Sequence, residues 1–280
     1  MQMRVSVKAP AKINLFLEVT SKRPDGYHNI VTLMHPVPLY DNVILTANDS
    51  GTITIDCDTE YVPKDSTNLA WRAAELFFEI SGLNNAGLDI KIEKNIPMKA
   101  GLAGGSTDAA AVLRGLNELF GKPVSDDNLI SSAARIGADV PFCTAGKPML
   151  CKGIGEILIP SPALPGCYIV ISVPETGTQT EKAYFMLDKI KKRTVNTADY
   201  YSIMESGDLG SICAYAYNCF ESVFPKDPVI SDILTSNGAL TCRLSGSGTS
   251  VFGIYENEEK AKNALSELLS SGYKAFLCEM

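Results

Sequence analysis

The sequence is poor in histidine, in paired cysteines and in long apolar runs. It has 2 histidines, His28 and His35, and its 8 cysteines form no C-x-x-C pair. A helical H-x-x-x-H metal site is excluded, and scattered cysteines are typical of buried, reduced thiols in the cytoplasm. No segment approaches the roughly 20 apolar residues of a membrane span, and the first residues lack the apolar core of a signal peptide. We therefore expect a cytoplasmic protein with no membrane partner.

Positive charge is also scarce. The 25 lysines and arginines are outnumbered by 32 aspartates and glutamates, for a net charge of −7. A nucleic-acid-binding surface usually needs a basic patch, so no nucleic-acid partner is expected. The basic run Lys189–Arg193 ends a predicted helix and is typical of a solvated helix C-terminus. A chain of 280 residues suits one large domain or two close ones.

Neither common nucleotide-binding fingerprint is present. Gly121-Lys122 and Gly146-Lys147 are each followed by proline, whereas a Walker A loop needs serine or threonine there. In their place stands IPMKAGLAGGSTDAA, residues 96–110, with the spacing G-x-x-G-G-S and not G-x-G-x-x-G. Bare glycine backbone followed by a helix N-terminus offers amide groups to an anion, most often phosphate. An ordinary glycine-rich helix entry with no ligand is the alternative.

The hydrophobic spacing predicts an α+β protein. The chain begins with strands over 3–8 and 13–19, broken at Pro10. Further strands are predicted over 28–39, 42–47, 52–57, 88–94, 148–151, 156–159, 168–173, 241–244, 250–255 and 275–278. Helices are predicted over 68–80, 106–120, 125–135, 180–192, 211–223, 228–236 and 258–270. The proline-rich segment Pro160–Gly166 predicts a brief linker, which divides the chain into domains 1–160 and 161–280.

Two motifs near the start of the chain could bind a ligand. Lys12 and Asn14 lie on one side of a predicted strand, where Lys12 could meet a phosphate or a carboxylate. A strand-edge lysine in water is the alternative. The turn Arg23–His28 ends in the rings of Tyr27 and His28, which could sandwich a flat heterocycle. The alternative is a plain turn into a strand.

Two further motifs combine small residues with polar groups. Asp139 lies between small and apolar residues in GADVPF, where a carboxylate is either a helix or turn cap, or a catalytic base in a dry cleft. The segment Leu244–Ser250 is a second glycine–hydroxyl loop between two predicted strands. It could form a backbone nest for an anion, or it is a flexible hairpin turn.

Taken in chain order, PAKINL, PDGYH, IPMKAGLAGGSTDAA, GADVPF and RLSGSG resemble the motifs of the GHMP kinase superfamily. The turn PDGYH, together with GADVPF followed by Gly153–Glu156, is similar to the members that act on a cytidine diphosphate-linked methylerythritol. The resemblance implies an N-terminal ribosomal-protein-S5-like domain 2 fold and a C-terminal ferredoxin-like α/β sandwich. The active site would lie in the cleft between them.

The resemblance also implies a reaction and a site. The enzyme would transfer a phosphoryl group from ATP, with Mg²⁺, to the 2-hydroxyl of that small molecule in the non-mevalonate route to isoprenoid precursors. The products would be the 2-phosphate and ADP. Asp139 would be the general base, with Lys12 holding it ionised. The implied ATP-binding residues are Pro97, Gly101, Leu102, Ala103, Gly104, Gly105, Ser106 and Thr107, with Ser106 or Thr107 reaching Mg²⁺. The implied substrate-binding residues are Asn14, Tyr27, His28, Thr180, Tyr184, Gly246, Ser247 and Gly248.

Some points stay open or depart from the family pattern. A homoserine- or mevalonate-type GHMP kinase and a catalytically silent nucleotide-binding relative are the alternatives, and no metal held by the protein alone is expected. The molecule would be a monomer or a homodimer. Ala103 replaces a glycine common in the loop. Because alanine disfavours a positive φ, we expect the loop not to need that angle at residue 103.

Overall fold

A computed structural model describes residues 3–84, 86–174, 180–190 and 197–280. The chain divides into two compact units, each made of several segments. The first unit comprises 1–11, 39–98 and 103–146, and the second comprises 12–38, 99–102 and 147–280. The predicted boundary at residue 160 divides the chain into two consecutive segments, and it stays a prediction.

The strands confirm most of the predicted β-segments. They are β1 Arg4–Lys22, β2 His28–Ala47, β3 Ile53–Cys57, β4 Leu88–Glu93, β5 Met149–Gly153, β6 Ile157–Pro160, β7 Tyr168–Val173, β8 Tyr217–Asn218, β9 Thr241–Leu244, β10 Val251–Tyr255 and β11 Lys274–Glu279. The predicted break at Pro10 is wrong, because β1 runs through it. Proline has a fixed φ that an extended chain accommodates, and it costs the strand only one hydrogen-bond donor.

Two of the helices have the predicted bounds, and most of the others lie at predicted positions with shifted ends. They are α1 Leu69–Ser81, α2 Gly104–Leu119, α3 Asp126–Ala133, α4 Val140–Ala145, α5 Thr180–Leu187, α6 Thr197–Ser206, α7 Leu209–Tyr215, α8 Pro228–Ser236 and α9 Glu258–Ser270. Asn68, Ser125 and Asn257 cap α1, α3 and α9 by accepting hydrogen bonds from backbone N–H groups. Helices α4 and α6 escaped prediction, although the buried residues Tyr200 and Met204 of α6 are one turn apart.

The first unit packs helices on a sheet. Strand β3 is parallel to β4, and β4 is antiparallel to the Asn42–Ala47 end of β2. Helix α2 packs between α1 and α4. Gly115 lies where a methyl group would come within 2.7 Å of Leu45 and 2.9 Å of Val7. The missing side chain therefore lets α2 lie directly on the strands.

The second unit contains an antiparallel sheet with the order β11-β7-β10-β9. Its core includes Ile230 and Leu234 from α8, Leu268 from α9, and Tyr255 from β10. In the same unit, the β5–β6 hairpin pairs with Ile30–Met34 of β2, and β8 runs parallel to β1 at Phe16 and Leu17. The α+β fold class is confirmed.

The predicted helix over 211–223 is wrong beyond Tyr215. The chain leaves α7, forms β8 and then makes a single 3-10 turn over Cys219–Ser222. Asn218 explains the interruption, because its side chain accepts a hydrogen bond from Phe220 N and so caps the turn. The predicted helix over 180–192 ends earlier, at Leu187, and residues 191 and 192 lie outside the described part of the chain.

Candidate active site

The glycine-rich segment adopts left-handed backbone at three alternate residues. The φ angles are 53° at Lys99, 76° at Gly101 and 60° at Ala103. The expectation for Ala103 is therefore wrong, because the residue occupies the N-cap of α2 in the left-handed region. This conformation costs a non-glycine residue about 1–2 kcal/mol. Strained backbone of this kind clusters at binding and catalytic sites.

Helix α2 begins two residues earlier than predicted and has no side-chain cap. Thr107 N is the first helical N–H with a backbone partner, donating to Ala103 O at 2.9 Å. The N–H groups of Gly104, Gly105 and Ser106 lie before this first i→i−4 bond, as the first N–H groups of any helix do. Such a start offers donors and a positive dipole end to an anion.

The hydroxyls that follow the glycines differ in burial. Ser106 is half-buried, whereas Thr107 is fully buried and its Oγ1 has no hydrogen-bond partner within the described residues. Pro97 is half-buried at the entrance to the loop.

Lys12 is a buried cation directed at the glycine loop. The residue is 4% exposed, and its Nζ donates to Gly101 O at 2.7 Å and to Asn14 Oδ1 at 2.5 Å. Its backbone N–H donates to Leu102 O at 3.2 Å. The alternative of a strand-edge lysine in water is wrong. Burial of an ammonium is costly unless it is hydrogen-bonded, so this arrangement fixes Lys12 against the loop.

Asn14 joins Lys12 to the second glycine loop. Its Oδ1 also accepts from Gly246 N at 2.8 Å, and its Nδ2 donates to Thr32 Oγ1 at 2.7 Å. The residue is only 3% exposed. Both ends of the amide are therefore engaged within the protein.

The second glycine loop, Leu244–Ser250, is tied to the first and is not a free hairpin turn. Ser245 Oγ donates to Gly101 O at 2.9 Å, and Ser250 N donates to Ala100 O at 3.1 Å. A methyl group at residue 101 would overlap Ser245 O. Glycine is therefore required at 101 by both its φ angle and this close approach. The φ angles of 58° at Gly246 and 92° at Gly248 complete the turn around half-buried Ser247.

The PDGYH turn presents one exposed ring and one fixed ring. Tyr27 is 60% exposed, whereas His28 Nε2 lies 2.8 Å from Asp188 Oδ1. The His28 ring stacks on Tyr184 with centroids 4.8 Å apart. Asp188 also binds Lys22 at 2.7 Å, and the pKa of its carboxyl falls to about 2 because Lys22 and then His28 donate to it. Nothing in the local sequence around Asp188 indicated this partner of His28.

Two predicted substrate-binding residues can be placed only in part. Tyr184 lies in α5, with Phe220 edge-on to its ring at a centroid distance of 5.0 Å. Because the His28 and Tyr184 rings are in contact, no base fits between these two. Thr180 begins α5, and its side chain lies outside the described residues.

Asp139 precedes α4 but does not cap it with its side chain. The residue has a φ of −85° and a ψ of −12°, and no side-chain hydrogen bond to the helix is made. The alternative of a helix cap is therefore wrong. Asp139 is half-buried in the first unit, whereas Lys12 belongs to the second. Their predicted pairing stays a prediction.

A buried ionic cluster lies under the start of α2. Lys94 Nζ donates to Asp108 Oδ2 at 2.7 Å and also binds Asp41. Asn95 N and Ile96 N donate to the other oxygen of Asp41 at 2.6 and 2.8 Å. Burial raises the pKa of Asp108 to about 7, against the opposing effect of Lys94. The sequence reasoning missed this cluster, although Lys94 and Asp108 flank the glycine segment.

Three other findings apply to the described part of the chain. Within 3–84, 86–174, 180–190 and 197–280, no group of three or more metal-binding His, Cys, Asp or Glu side chains occurs. All 8 cysteines are free and buried, as predicted. Over the same described ranges, the helices are too short or too polar to cross a bilayer.

Comparison with known proteins identifies the family of this chain. Residues 68–147 match the model of the GHMP kinases N terminal domain, and residues 202–275 match that of the GHMP kinases C terminal. The 4-diphosphocytidyl-2-C-methyl-D-erythritol kinase of Caldicellulosiruptor bescii is 44% identical over 94% of this chain and 94% of its own length. The chain belongs to the GHMP kinases, in the 4-diphosphocytidyl-2-C-methyl-D-erythritol kinase family.

Solved structures agree with this assignment. A crystal structure of a 4-(cytidine 5'-diphospho)-2C-methyl-D-erythritol kinase superposes with a TM-score of 0.81 at 31% identity, covering 98% of both chains. A homoserine kinase from Cytophaga hutchinsonii has a TM-score of 0.71 at 19% identity, covering 99% of this chain and 95% of its own, and shows the shared fold alone. The predicted GHMP kinase fold is confirmed. This GHMP kinase is an ATP-dependent small-molecule kinase.

Proposed function

We propose that this kinase phosphorylates the 2-hydroxyl of 4-diphosphocytidyl-2-C-methyl-D-erythritol, giving the 2-phosphate and ADP, in the non-mevalonate route to isoprenoid precursors. The names of its relatives support the substrate. The observation that carries the proposal is the buried Lys12 ammonium, which donates to Gly101 O in the glycine loop at 2.7 Å. A cation fixed against a strained anion-binding loop suits phosphoryl transfer, which needs positioning and charge neutralisation more than covalent chemistry.

The proton acceptor in this proposal is Asp139. Its carboxylate makes no capping bond to α4, so that interaction does not compete for the acceptor oxygens. Asp139 takes the proton of the acceptor hydroxyl, and Lys12 keeps Asp139 ionised while stabilising charge near the transferred phosphoryl group. Because phosphoryl transfer depends mainly on positioning and charge stabilisation, we expect the Lys12 ammonium to carry much of the rate.

ATP is bound by the glycine segment in this proposal, through Pro97, Gly101–Ser106 and Thr107. The uncapped start of α2 supports the phosphate site. The residues present fit a Mg²⁺ ion carried mainly by phosphates, because the described part of the chain has no carboxylate cage. The hydroxyl of half-buried Ser106 is more accessible to that ion than the hydroxyl of buried Thr107. Mg²⁺ would neutralise phosphate charge there.

The acceptor is bound by the PDGYH turn and the second glycine loop. We propose that the cytosine ring stacks on exposed Tyr27, with His28 and Tyr184 beside it and His28 oriented by Asp188. Thr180, Asn14 and Gly246–Gly248 complete the substrate site. Stacking of a base on one aromatic ring contributes roughly 1–3 kcal/mol.

The test is turnover with a choice of acceptors. The purified protein is incubated with ATP, Mg²⁺ and 4-diphosphocytidyl-2-C-methyl-D-erythritol, and ADP is followed. We expect ADP with this acceptor and none above background with homoserine or mevalonate. The reverse pattern would contradict the proposed acceptor, whereas the assignment to the GHMP kinases would stand. ATP binding without turnover on any acceptor would indicate a silent relative.

A pair of variants tests the base. Asp139→Asn removes the proton acceptor and should lower kcat by about 10²- to 10⁴-fold. The matched control is Asp126→Asn, which changes an exposed aspartate in the first turn of α3. We expect its kcat to stay at the wild-type value. Wild-type kcat in Asp139→Asn would overturn the assignment of the base.

A further inference from the structure

The amide of Asn218 holds the backbone on both sides of Ser245. Asn218 is 1% exposed, and its Nδ2 donates to Leu244 O and to Gly246 O, each at 2.8 Å. Its Oδ1 accepts from Phe220 N at 3.0 Å. Every polar atom of this side chain is therefore used, and two of its three bonds go to the second glycine loop.

Strand β8 brings Asn218 beside the strand that carries Lys12 and Asn14. Leu17 of β1 is its partner in the parallel pairing of β1 with β8. The bonds to Leu244 and Gly246 therefore connect β1, through β8, to the end of β9. All of these residues belong to the second unit.

The peptide group that Asn218 does not touch is the one that matters for Lys12. The Leu244 and Gly246 carbonyls belong to the peptide groups on either side of the Ser245–Gly246 peptide. Holding both neighbours holds the Cα atoms of Ser245 and Gly246, so the peptide between them, which carries the Gly246 N–H, keeps its place and can only turn about the line joining those two atoms. That N–H donates to Asn14 Oδ1 at 2.8 Å, and the same oxygen accepts from Lys12 Nζ at 2.5 Å.

We propose that Asn218 is a positioning residue for the kinase reaction, setting the Lys12 ammonium through Gly246 and Asn14. The inference rests on the role of Lys12 proposed above. Gly246 has a φ of 58°, a conformation that glycine leaves easily when nothing holds it. Without Asn218 the Ser245–Gly246 peptide can move away from Asn14, Asn14 Oδ1 loses one donor, and the ammonium shifts relative to the loop.

The first test compares two buried asparagines. Asn218→Ala should lower kcat about tenfold or more, since a misplacement of about 1 Å can cost 10²-fold. Asn117 is the matched control: it is 4% exposed, and its amide donates to Val124 O at 2.9 Å and accepts from Val124 N at 3.1 Å. Asn117→Ala removes the same kind of buried amide and should cost similar thermal stability with kcat within about twofold of wild type. Equal falls in kcat for the two variants would contradict the proposal.

A double-mutant cycle tests whether the effect passes through Asn14. If it does, Asn14→Ala combined with Asn218→Ala should have a kcat within about twofold of Asn14→Ala alone. If the losses of kcat in the two single variants multiply in the double variant, Asn218 has a general structural role. That result would overturn the proposed connection through Asn14.

Hydrogen exchange supplies a readout that needs no substrate. The Gly246 amide should exchange about tenfold faster in Asn218→Ala than in wild type and at the wild-type rate in Asn117→Ala. If Asn218→Ala does not fold, Asn218→Ser, which keeps one donor, takes its place in each measurement. Unchanged exchange at Gly246 would overturn the inference.

The outcomes also separate this inference from the proposed function. Wild-type kcat in Lys12→Ala would overturn the role of Lys12 and with it the catalytic meaning of Asn218. Loss of activity in Lys12→Ala together with wild-type kcat in Asn218→Ala would overturn only the role of Asn218.

Discussion

Asp108 and Asp188 each bind a lysine, yet their pKa values move in opposite directions. Asp108 lies with Lys94 and Asp41 under the start of α2, and its pKa rises to about 7. Asp188 lies with Lys22 and His28 beside the PDGYH turn, and its pKa falls to about 2. A lysine partner alone therefore does not decide the charge of an aspartate.

Burial and hydrogen bonding explain the difference. The side chains of Asp108 and Lys94 are 5% and 6% exposed, and Asp108 Oδ1 has no partner within the residues that the structure describes. The nearby Asp41 adds a like charge. Asp188 is 20% exposed, and each of its oxygens faces a donor. Desolvation thus dominates at α2, whereas donated hydrogen bonds dominate at the PDGYH turn.

Removing the cation from the buried cluster should have the largest effect on stability. Lys94→Met leaves Asp41 and Asp108 facing each other without a counter-charge, which should lower the free energy of unfolding by about 3–5 kcal/mol. Urea unfolding measures it. The control is Lys64→Met, which breaks an exposed pair with Asp56 and should leave the free energy of unfolding nearly unchanged. Equal losses in the two variants would show that burial does not separate these pairs.

The pH dependence of stability should expose the buried carboxyl directly. Because the pKa of Asp108 rises from 3.8 to about 7 on folding, its stabilising contribution is present below pH 3.8 and is lost as the pH rises to about 7. Asp108→Asn carries no titrating proton. Its stability relative to wild type should therefore increase between pH 5 and 7, by at most about 1.4 kcal/mol per pH unit. Urea unfolding of both proteins at several pH values measures this. A constant difference across that range would mean that Asp108 ionises normally in the fold.

The sequence predicted the helices and strands far better than it predicted the side-chain clusters around Asp108 and Asp188. Helices α8 and α9 and strand β7 have the predicted bounds, because local periodicity and caps determine them. The buried cluster joins Lys94 to Asp41, which is 53 positions away in the chain, and to Asp108, which is 14 positions away. No local sequence pattern specifies such contacts. The same holds for the burial of Lys12 against Gly101 and for Asn218 against Leu244. At Ala103, the local preference of alanine gave the wrong angle, because the loop between β4 and α2 imposes a left-handed turn.

Asp188 should matter little for stability and more for substrate affinity. Asp188→Asn loses a half-exposed ion pair with Lys22, so we expect a change of about 0–1 kcal/mol in the free energy of unfolding. The same change removes the charged partner that orients the His28 ring. Under the proposed function, KM for the cytidine substrate should therefore rise roughly tenfold with kcat nearly unchanged, because the base is bound alike in the ground and transition states. Asp56→Asn, which alters an exposed pair elsewhere, should leave both constants unchanged. A fall in kcat with unchanged KM would show instead that Asp188 acts on the reacting groups.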